Sequence, residues 1–190
     1  SRTPPEPAPT TTATPDPIVT KAVSPASPAA SASGRCIAKM TDAAPAIPPP
    51  APAKACPPDP DPANMPTGEI SFPDASPSLK IQAELAKTPH DVEKGLMFRR
   101  SMSDNQGMLF KLESRRDHTF WMHNTCISLD MMFVEDDGLI VGIVEGAAPL
   151  TDSVRSVGCP STYVLEVNGG WSRKNGVKPG QRITIPFSAR

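Results

Sequence analysis

The 190-residue chain lacks several features that would place it in a common functional class. It has no run of about 18 apolar residues, so we expect no membrane-spanning segment. It also has no Gly-x-Ser-x-Gly, no phosphate-cradling glycine loop and no His-Glu-x-x-His, which would indicate a hydrolase, a nucleotide site or a zinc protease. None of its cysteines forms a Cys-x-x-Cys pair, so a zinc ribbon or a thioredoxin-like motif is unsupported.

Positive charge is neither abundant nor clustered. The 19 basic and 20 acidic residues give a formal net charge of -1. A nucleic-acid surface needs a basic patch or stripe, so we expect no nucleic-acid partner. The chain opens with Ser-Arg-Thr-Pro-Pro, without an initiating Met or a visible signal peptide, and we expect it to be processed or truncated.

Proline is abundant but unevenly distributed. Of the 25 prolines, 18 lie in residues 1–66 and seven in residues 67–190. The first region is also rich in Ala, Ser and Thr, and has too few large apolar residues to offset the entropy of ordering it. We therefore predict a disordered or extended arm over residues 1–66, which is a spacer or a docking arm for another protein. Residues 67–190 have the size of one compact domain.

The four cysteines are Cys36, Cys56, Cys126 and Cys159, two in each region. An even number is typical of disulfides formed in an oxidising compartment, and the alternative is four free thiols in the cytosol. Three pairings are conceivable. We favour Cys36–Cys56 and Cys126–Cys159, because cysteines in a mobile arm meet each other more often than they meet a folded domain. Together with the Pro-rich arm, this predicts an extracytoplasmic location in the periplasm, the outer envelope or the medium.

Alternating hydrophobicity predicts short strands and one short helix. Thr88, Pro89 and Asp91 form a capping-box pattern that predicts a helix over Pro89–Phe98. Asp136-Asp137-Gly138 predicts a tight hairpin turn, and one helical turn is expected within Gly169–Gly176. Strands are expected at residues 69–72, 78–86, 107–112, 118–123, 129–135, 139–145, 162–167 and 181–187. This pattern predicts a mainly β barrel or sandwich.

Four linked motifs carry a family resemblance. They are Gly95-Leu-Met-Phe-Arg, Gly107-Met-Leu-Phe, Phe120-Trp-Met-His-Asn-Thr with Leu129-Asp130 and Phe133, and Tyr163-Val-Leu-Glu-Val with Gly170. In order and spacing, residues 69–187 resemble the domain of unknown function 192 family. The resemblance implies a small, mainly β, jelly-roll-like domain that is often secreted or located in the envelope, and it implies no established activity. The Pro-rich arm lies outside it. Cys126 and Cys159 stand where the family does not require cysteine, which favours a local disulfide over a family-wide catalytic cysteine.

The stretch His118–Val134 concentrates histidine, sulfur and tryptophan. If residues 118–123 form a strand, His118 and His123 point to opposite faces, which argues against a metal site there. No metal and no cofactor are therefore expected. Five methionines, at positions 97, 108, 122, 131 and 132, raise a soft-metal alternative, because thioethers bind Cu(I). Methionine is also a common filler of irregular cores, and we favour that interpretation.

Arg99, Asp130 and Glu166 are charged residues within apolar runs. Because buried charges are costly unless they are paired, two interpretations stay open. The three side chains either form a structural network or line a ligand pocket, in which Arg99 binds an anionic or polyhydroxyl ligand. Trp121 and Asn124 would complete that pocket as an aromatic and amide platform for a sugar. Alternatively, Asn124 only builds a turn.

The leading hypothesis is a non-enzymatic binding or assembly module of the cell envelope. Its partner would be an envelope protein or a glycan, and its pocket would include Arg99, Trp121, Asn124, Asp130 and Glu166. A second hypothesis is an enzyme acting on polysaccharide or cell-wall material, with Asp130 and Glu166 as a pair of acid and base. A third is a copper carrier.

Overall fold

The computed structural model describes residues 34–62 and 64–187, so half of the predicted arm, residues 1–33, lies outside the described residues. The described part forms a mainly β domain with six strands and two short helices. In chain order the elements are β1 (Thr67–Ser71), β2 (Lys80–Ala86), α1 (Pro89–Lys94), β3 (Gln106–Arg116), β4 (Leu129–Val134), β5 (Ile140–Ala147), β6 (Ser161–Asn168) and α2 (Trp171–Lys174). The mainly β class, the early helix and the later helical turn are as the sequence predicts.

The six strands form one mixed sheet in the order β1-β2-β3-β6-β4-β5. Only β2 and β3 run parallel, and α1 lies in the connection between them. The sheet carries a hydrophobic core on each face. Leu109, Met132 and Leu165 belong to one core, whereas Met108 and Met131 belong to the other. Because both faces are covered, β4 is buried along its whole length instead of alternating.

Two predicted strands are absent from the sheet. Residues 118–123 form a single bridge, between Phe120 and Arg155, and residues 181–187 form a single bridge, between Leu139 and Arg182. Each segment makes only scattered backbone hydrogen bonds, so neither pairs with a continuous neighbouring strand. In the second segment, Pro186 also lacks the N–H that a central strand needs.

The segment 180–184 nevertheless joins the two edges of the sheet. Ile183 donates its N–H to the carbonyl of Gly138 at the β4–β5 turn (2.9 Å), and Thr184 donates to Ser71 of β1 (3.0 Å). The sheet itself is not closed. This arrangement is compatible with both the barrel and the sandwich that the sequence predicts.

The disulfide pairing favoured from the sequence is wrong. The bonds are Cys36–Cys159 and Cys56–Cys126, so each one joins the arm to the domain. The premise of a mobile arm fails for residues 34–62, which we call the strap. The strap contains no helix or strand, yet it lies against the domain.

Backbone groups hold the strap in place between its disulfides. Ala38 donates its N–H to Val141 of the edge strand β5 (2.7 Å), and the Arg173 guanidinium donates to the carbonyl of Thr41 (2.5 Å). Arg173 also forms an ion pair with the buried carboxylate of Glu145 (2.5 Å). The strap thus supplies the edge of the sheet with partners that an open edge would lack.

Within residues 34–62 and 64–187, no helix is long and apolar enough to cross a membrane.

Candidate functional site

A cavity of about 510 Å³ opens between α1 and the sheet. Its lining comes from α1 and its flanks (residues 87–97), β3 (110–116), the segment 118–121, Thr125 and Glu166. This volume lies in the range of small-molecule sites, about 300–1,000 Å³. Two of the five predicted pocket residues, Trp121 and Glu166, lie in this lining.

Local sequence explains how α1 forms one wall of the cavity. The Asp91 N–H donates to the Thr88 hydroxyl (3.1 Å), and the Thr88 N–H donates to the Asp91 carboxylate (3.2 Å), which completes the capping box. The helix ends at Lys94, earlier than predicted, because Gly95 takes a positive φ of 49°. A Cβ at Gly95 would lie 3.2 Å from the Phe110 ring, so glycine also permits the close approach of this turn to β3. Leu96 then turns inward and is buried.

Glu166 is the unusual residue of the cavity. It lies on β6 between Met108 of β3 and Met131 of β4, and residues directly opposite each other on paired strands share one face. Its side chain is only 4 % exposed. Its carboxyl group has no hydrogen-bond or ion-pair partner within the described part of the chain. Burial raises the pKa of Glu166 to about 8.

Trp121 stands at the rim and is 48 % exposed. Its ring stacks on the His123 ring, with centroids 4.9 Å apart and 25° between the planes. His123 in turn contacts the Asp152 carboxylate through Nδ1 (2.7 Å). On the other side of this segment, His118 and Met122 are buried and Phe120 is half-buried. The alternation predicted for a strand therefore survives although the segment is not one.

The other three predicted pocket residues are engaged elsewhere. Arg99 forms a two-pronged ion pair with Glu84 of β2, with both N–O distances at 2.5 Å. Asn124 lies at a φ of 53° in a turn closed by the Thr125 N–H and the Met122 carbonyl (3.1 Å). The left-handed position in a turn suits asparagine, and the turn interpretation accounts for this residue.

Asp130 lies on the opposite face of the sheet from Glu166. It pairs in register with Val167, the neighbour of Glu166, and successive residues of a strand point to opposite faces. The fully buried Asp130 carboxylate accepts backbone N–H groups from Gly146 (2.8 Å), Gly170 (2.9 Å) and Ser172 (2.9 Å). Gly170, at a φ of 80°, permits the tight entry into α2 that aims these groups at the carboxylate. Asp130 thus fastens α2 and the end of β5 to β4.

The methionines belong to the cores. Met108, Met122, Met131 and Met132 are fully buried, and Met131 and Met132 project to opposite faces of the sheet. Among the described residues, no group of three His, Cys, Asp or Glu side chains could hold a metal ion.

A family model, DUF192, described as an uncharacterised ACR, matches residues 72–185. The chain belongs to the DUF192 family. The resemblance stated from the four motifs is thereby confirmed. A search of curated proteins finds no match.

Two crystal structures resemble this DUF192 chain. One is described as a proposed transcription regulator from Sinorhizobium meliloti 1021, with 36% identity, a TM-score of 0.62, and coverage of 65% of this chain and 97% of that chain. The other is a protein of unknown function from Novosphingobium aromaticivorans DSM 12444, with 32% identity, a TM-score of 0.59, and coverage of 76% and 94%.

The sequence interpretation missed most of the cavity lining. Gly95 and Phe110 occur in the quoted motifs, which was a usable signal for their position. Glu84 carried no such signal, because its place beside Met108 depends on the parallel pairing of β2 with β3. Arg99 takes Glu84 as its partner, and neither Asp130 nor Glu166.

Proposed function

We propose that this DUF192 protein is a non-enzymatic, extracytoplasmic binding module of the cell envelope, whose ligand occupies the cavity beside Glu166. Its partner is an envelope component, either a small molecule or a group displayed by a protein or glycan. The Pro-rich residues 1–33 would serve as a spacer or a docking arm.

The observation that carries this proposal is the unpartnered carboxyl group of Glu166. A buried polar group without a partner costs about 1–3 kcal/mol. Asp130 does not bear this cost, because its carboxylate accepts hydrogen bonds from three backbone N–H groups. Perturbed groups of this kind concentrate at functional sites. A cavity of about 510 Å³ in front of Glu166 supplies the space for the missing partner.

The two disulfides support the location. Disulfides persist in oxidising compartments and are rare in the cytosol. Here both bonds fasten the strap across the domain, so the described fold depends on them. Intact-mass measurement after alkylation without reductant should detect no free thiol. Four alkylated cysteines would contradict an extracytoplasmic location.

The alternatives receive less support. Asp130 and Glu166 point to opposite faces of one sheet, so they cannot flank one scissile bond as the glycosidase hypothesis requires. One relative is described as a transcription regulator, but the 19 basic and 20 acidic residues of this chain give it no excess of positive charge. The arginines Arg115, Arg173 and Arg182 all form ion pairs with carboxylates.

The test is a fragment screen by two-dimensional NMR of the full chain with its disulfides intact. The mixture contains amines, alcohols, carboxylic acids and monosaccharides. We expect the shifted signals to cluster on the Gly95 and Thr125 amides and on the Trp121 indole N–H. Scattered shifts, or none, would contradict a binding role for the cavity.

A matched pair of variants separates the rim from the general surface. Trp121→Ala removes an exposed ring from the cavity lining and should weaken fragment binding several-fold. Val154→Ala removes an apolar side chain that is 69 % exposed and lies outside the lining, and it should leave binding unchanged. Equal effects of the two variants would contradict a specific rim.

A further inference from the structure

The chemistry of Glu166 limits what can satisfy it. The ionised form of Glu166 only accepts hydrogen bonds, so a partner that satisfies the carboxylate has to be a donor. The residues directly opposite Glu166 on the two neighbouring strands are Met108 and Met131, whose side chains have no hydrogen-bond donor. A water molecule could donate to the carboxylate, but it would leave the negative charge without compensation. A positively charged donor would neutralise it.

The remaining buried lining of the cavity suits the body of an organic cation. The Phe110 and Phe120 rings meet edge to face, with centroids 5.3 Å apart, and the exposed Trp121 ring stands at the rim. Aromatic faces attract ammonium groups in addition to making apolar contact with the stem of the cation. Leu96 and Met97 supply further apolar wall.

The other charged groups around Glu166 leave this role open. On β2, Glu84 is neutralised by Arg99. In the segment 118–123, the His118 ring forms a hydrogen bond through Nε2 with the Ser114 carbonyl (2.8 Å).

At the rim, Lys87 and Lys111 lie over the Phe187 ring, at 5.1 and 5.9 Å. Lys94 of α1 pairs with Asp59 of the strap. The exposed Glu93, Glu113 and Arg116 complete the charged lining. Together with Lys87, Lys94, Lys111 and Glu166, the lining holds four basic and three acidic side chains, and none of the four bases forms an ion pair with Glu166.

We propose that the cavity binds an organic ammonium ion, whose N–H groups donate to the Glu166 carboxylate while its apolar stem packs against Phe120 and Trp121. This inference rests on the proposed function, because it names the ligand class of the same cavity. A free alkylamine and a lysine side chain presented by another protein share this chemistry.

Binding of a cation is linked to loss of a proton from Glu166. The pKa of Glu166 is raised to about 8 by burial, so roughly a tenth of the carboxyl groups are ionised at pH 7. Only the ionised form attracts the cation. Alkylammonium ions keep their charge up to about pH 10, so affinity should rise about tenfold between pH 7 and pH 9. The bound cation should in turn lower the pKa of Glu166.

The experiment is an NMR titration of the full, disulfide-bonded chain with n-butylammonium, 1-butanol and butyrate. n-Butylammonium should bind at least tenfold more tightly than either of the other two, and its affinity should increase with pH. Glu166→Gln should abolish this preference. Glu69→Gln makes the same chemical change at a half-exposed residue of β1 that pairs with Lys80, and it should leave the preference intact.

The outcomes separate this inference from the proposed function. If 1-butanol or butyrate binds the cavity as tightly as n-butylammonium, the cavity is a binding site but the ammonium class is wrong. If none of the three binds, the ammonium inference is overturned. The mixed fragment screen then decides whether the cavity is a binding site at all. A lysine side chain as the natural ligand is supported if N-acetyl-lysine amide binds and its norleucine analogue does not.

Discussion

Substitution of Asp130 and of Glu166 by the corresponding amide should change the stability of the protein in opposite directions. Both carboxyl groups are buried, and each can be changed to its amide with little change in volume. Asp130→Asn should destabilise the protein, because an amide NH₂ cannot accept from a backbone N–H. Glu166→Gln should stabilise it at alkaline pH, because it removes an ionisable group that has no partner.

The magnitude for Asp130 follows from its three donors. In Asp130→Asn, the remaining carbonyl can keep the N–H groups of Gly146 and Gly170, whereas the Ser172 N–H, now 2.9 Å from a donor, loses its acceptor. Hydrogen bonds to a charged group contribute about 1.5–3 kcal/mol, and a buried unsatisfied donor costs about 1–3 kcal/mol. We therefore expect a loss of about 3–5 kcal/mol in the free energy of unfolding.

The effect at Glu166 depends on pH. The folded state holds the Glu166 proton more tightly than the unfolded state, so the free energy of unfolding falls as pH rises from about 4.5 to about 8 and then levels off. Glu166→Gln removes this dependence. After allowance for the unsatisfied amide, the variant should be about 1–3 kcal/mol more stable than the parent at pH 8, and up to about 2 kcal/mol less stable than it at pH 5.

Urea denaturation at both pH values, with the disulfides intact, measures these differences. The slope of the transition should stay constant if the variants change stability alone. The reasoning is refuted if Asp130→Asn costs less than about 1 kcal/mol, since its hydrogen bonds would then carry no weight. It is equally refuted if Glu166→Gln is destabilised at pH 8, because the carboxyl group would then have a partner.

Three further predictions concern the strap and α1. Replacing Cys36 and Cys159 together by Ser opens a loop of 123 residues and should cost about 4–5 kcal/mol in a chain-entropy model, measured by thermal unfolding. An unchanged unfolding temperature would contradict this pairing, which a non-reducing peptide map checks independently. Arg173→Ala leaves the Glu145 carboxylate unpaired and should lower the urea concentration at the midpoint of unfolding, whereas an unchanged midpoint would show that the pair is solvated. Gly95→Ala places a side chain against Phe110 at a positive φ and should lower the free energy of unfolding by about 1–3 kcal/mol. The NMR signals of the cavity residues should shift as well. An unchanged stability would contradict the turn geometry.

Local patterns predicted the elements that local chemistry determines. Thr88 and Asp91 identified the start of α1, and Asp137-Gly138 identified the β4–β5 turn. Alternation predicted that His118 and His123 point to opposite faces, and the alternating burial of residues 118–122 follows that pattern although no strand forms there. The end of α1 was misplaced, since the conformation of Gly95 depends on its contact with Phe110.

Features set by long-range pairing could not be predicted. The ion pair of Arg99 with Glu84 joins residues of two separate segments, and no local pattern in the sequence indicated it. The disulfide partners were misassigned because composition described the strap as mobile, whereas its backbone bonds to β5 and Arg173 hold it on the domain. Asp130 and Glu166 looked equivalent in sequence. Only the register of β4 against β6 places them on opposite faces.

Measurement of the pKa of Glu166 tests the proposed binding site most directly. A ¹³C NMR titration of its side-chain carbon in the ligand-free protein, assigned by comparison with Glu166→Gln, gives its pKa. We expect a midpoint at about 8, because the group is buried in front of a cavity without a partner. A midpoint at the ordinary glutamate value of about 4.3 would mean that water or a partner already satisfies the carboxylate, and it would contradict the proposed binding site.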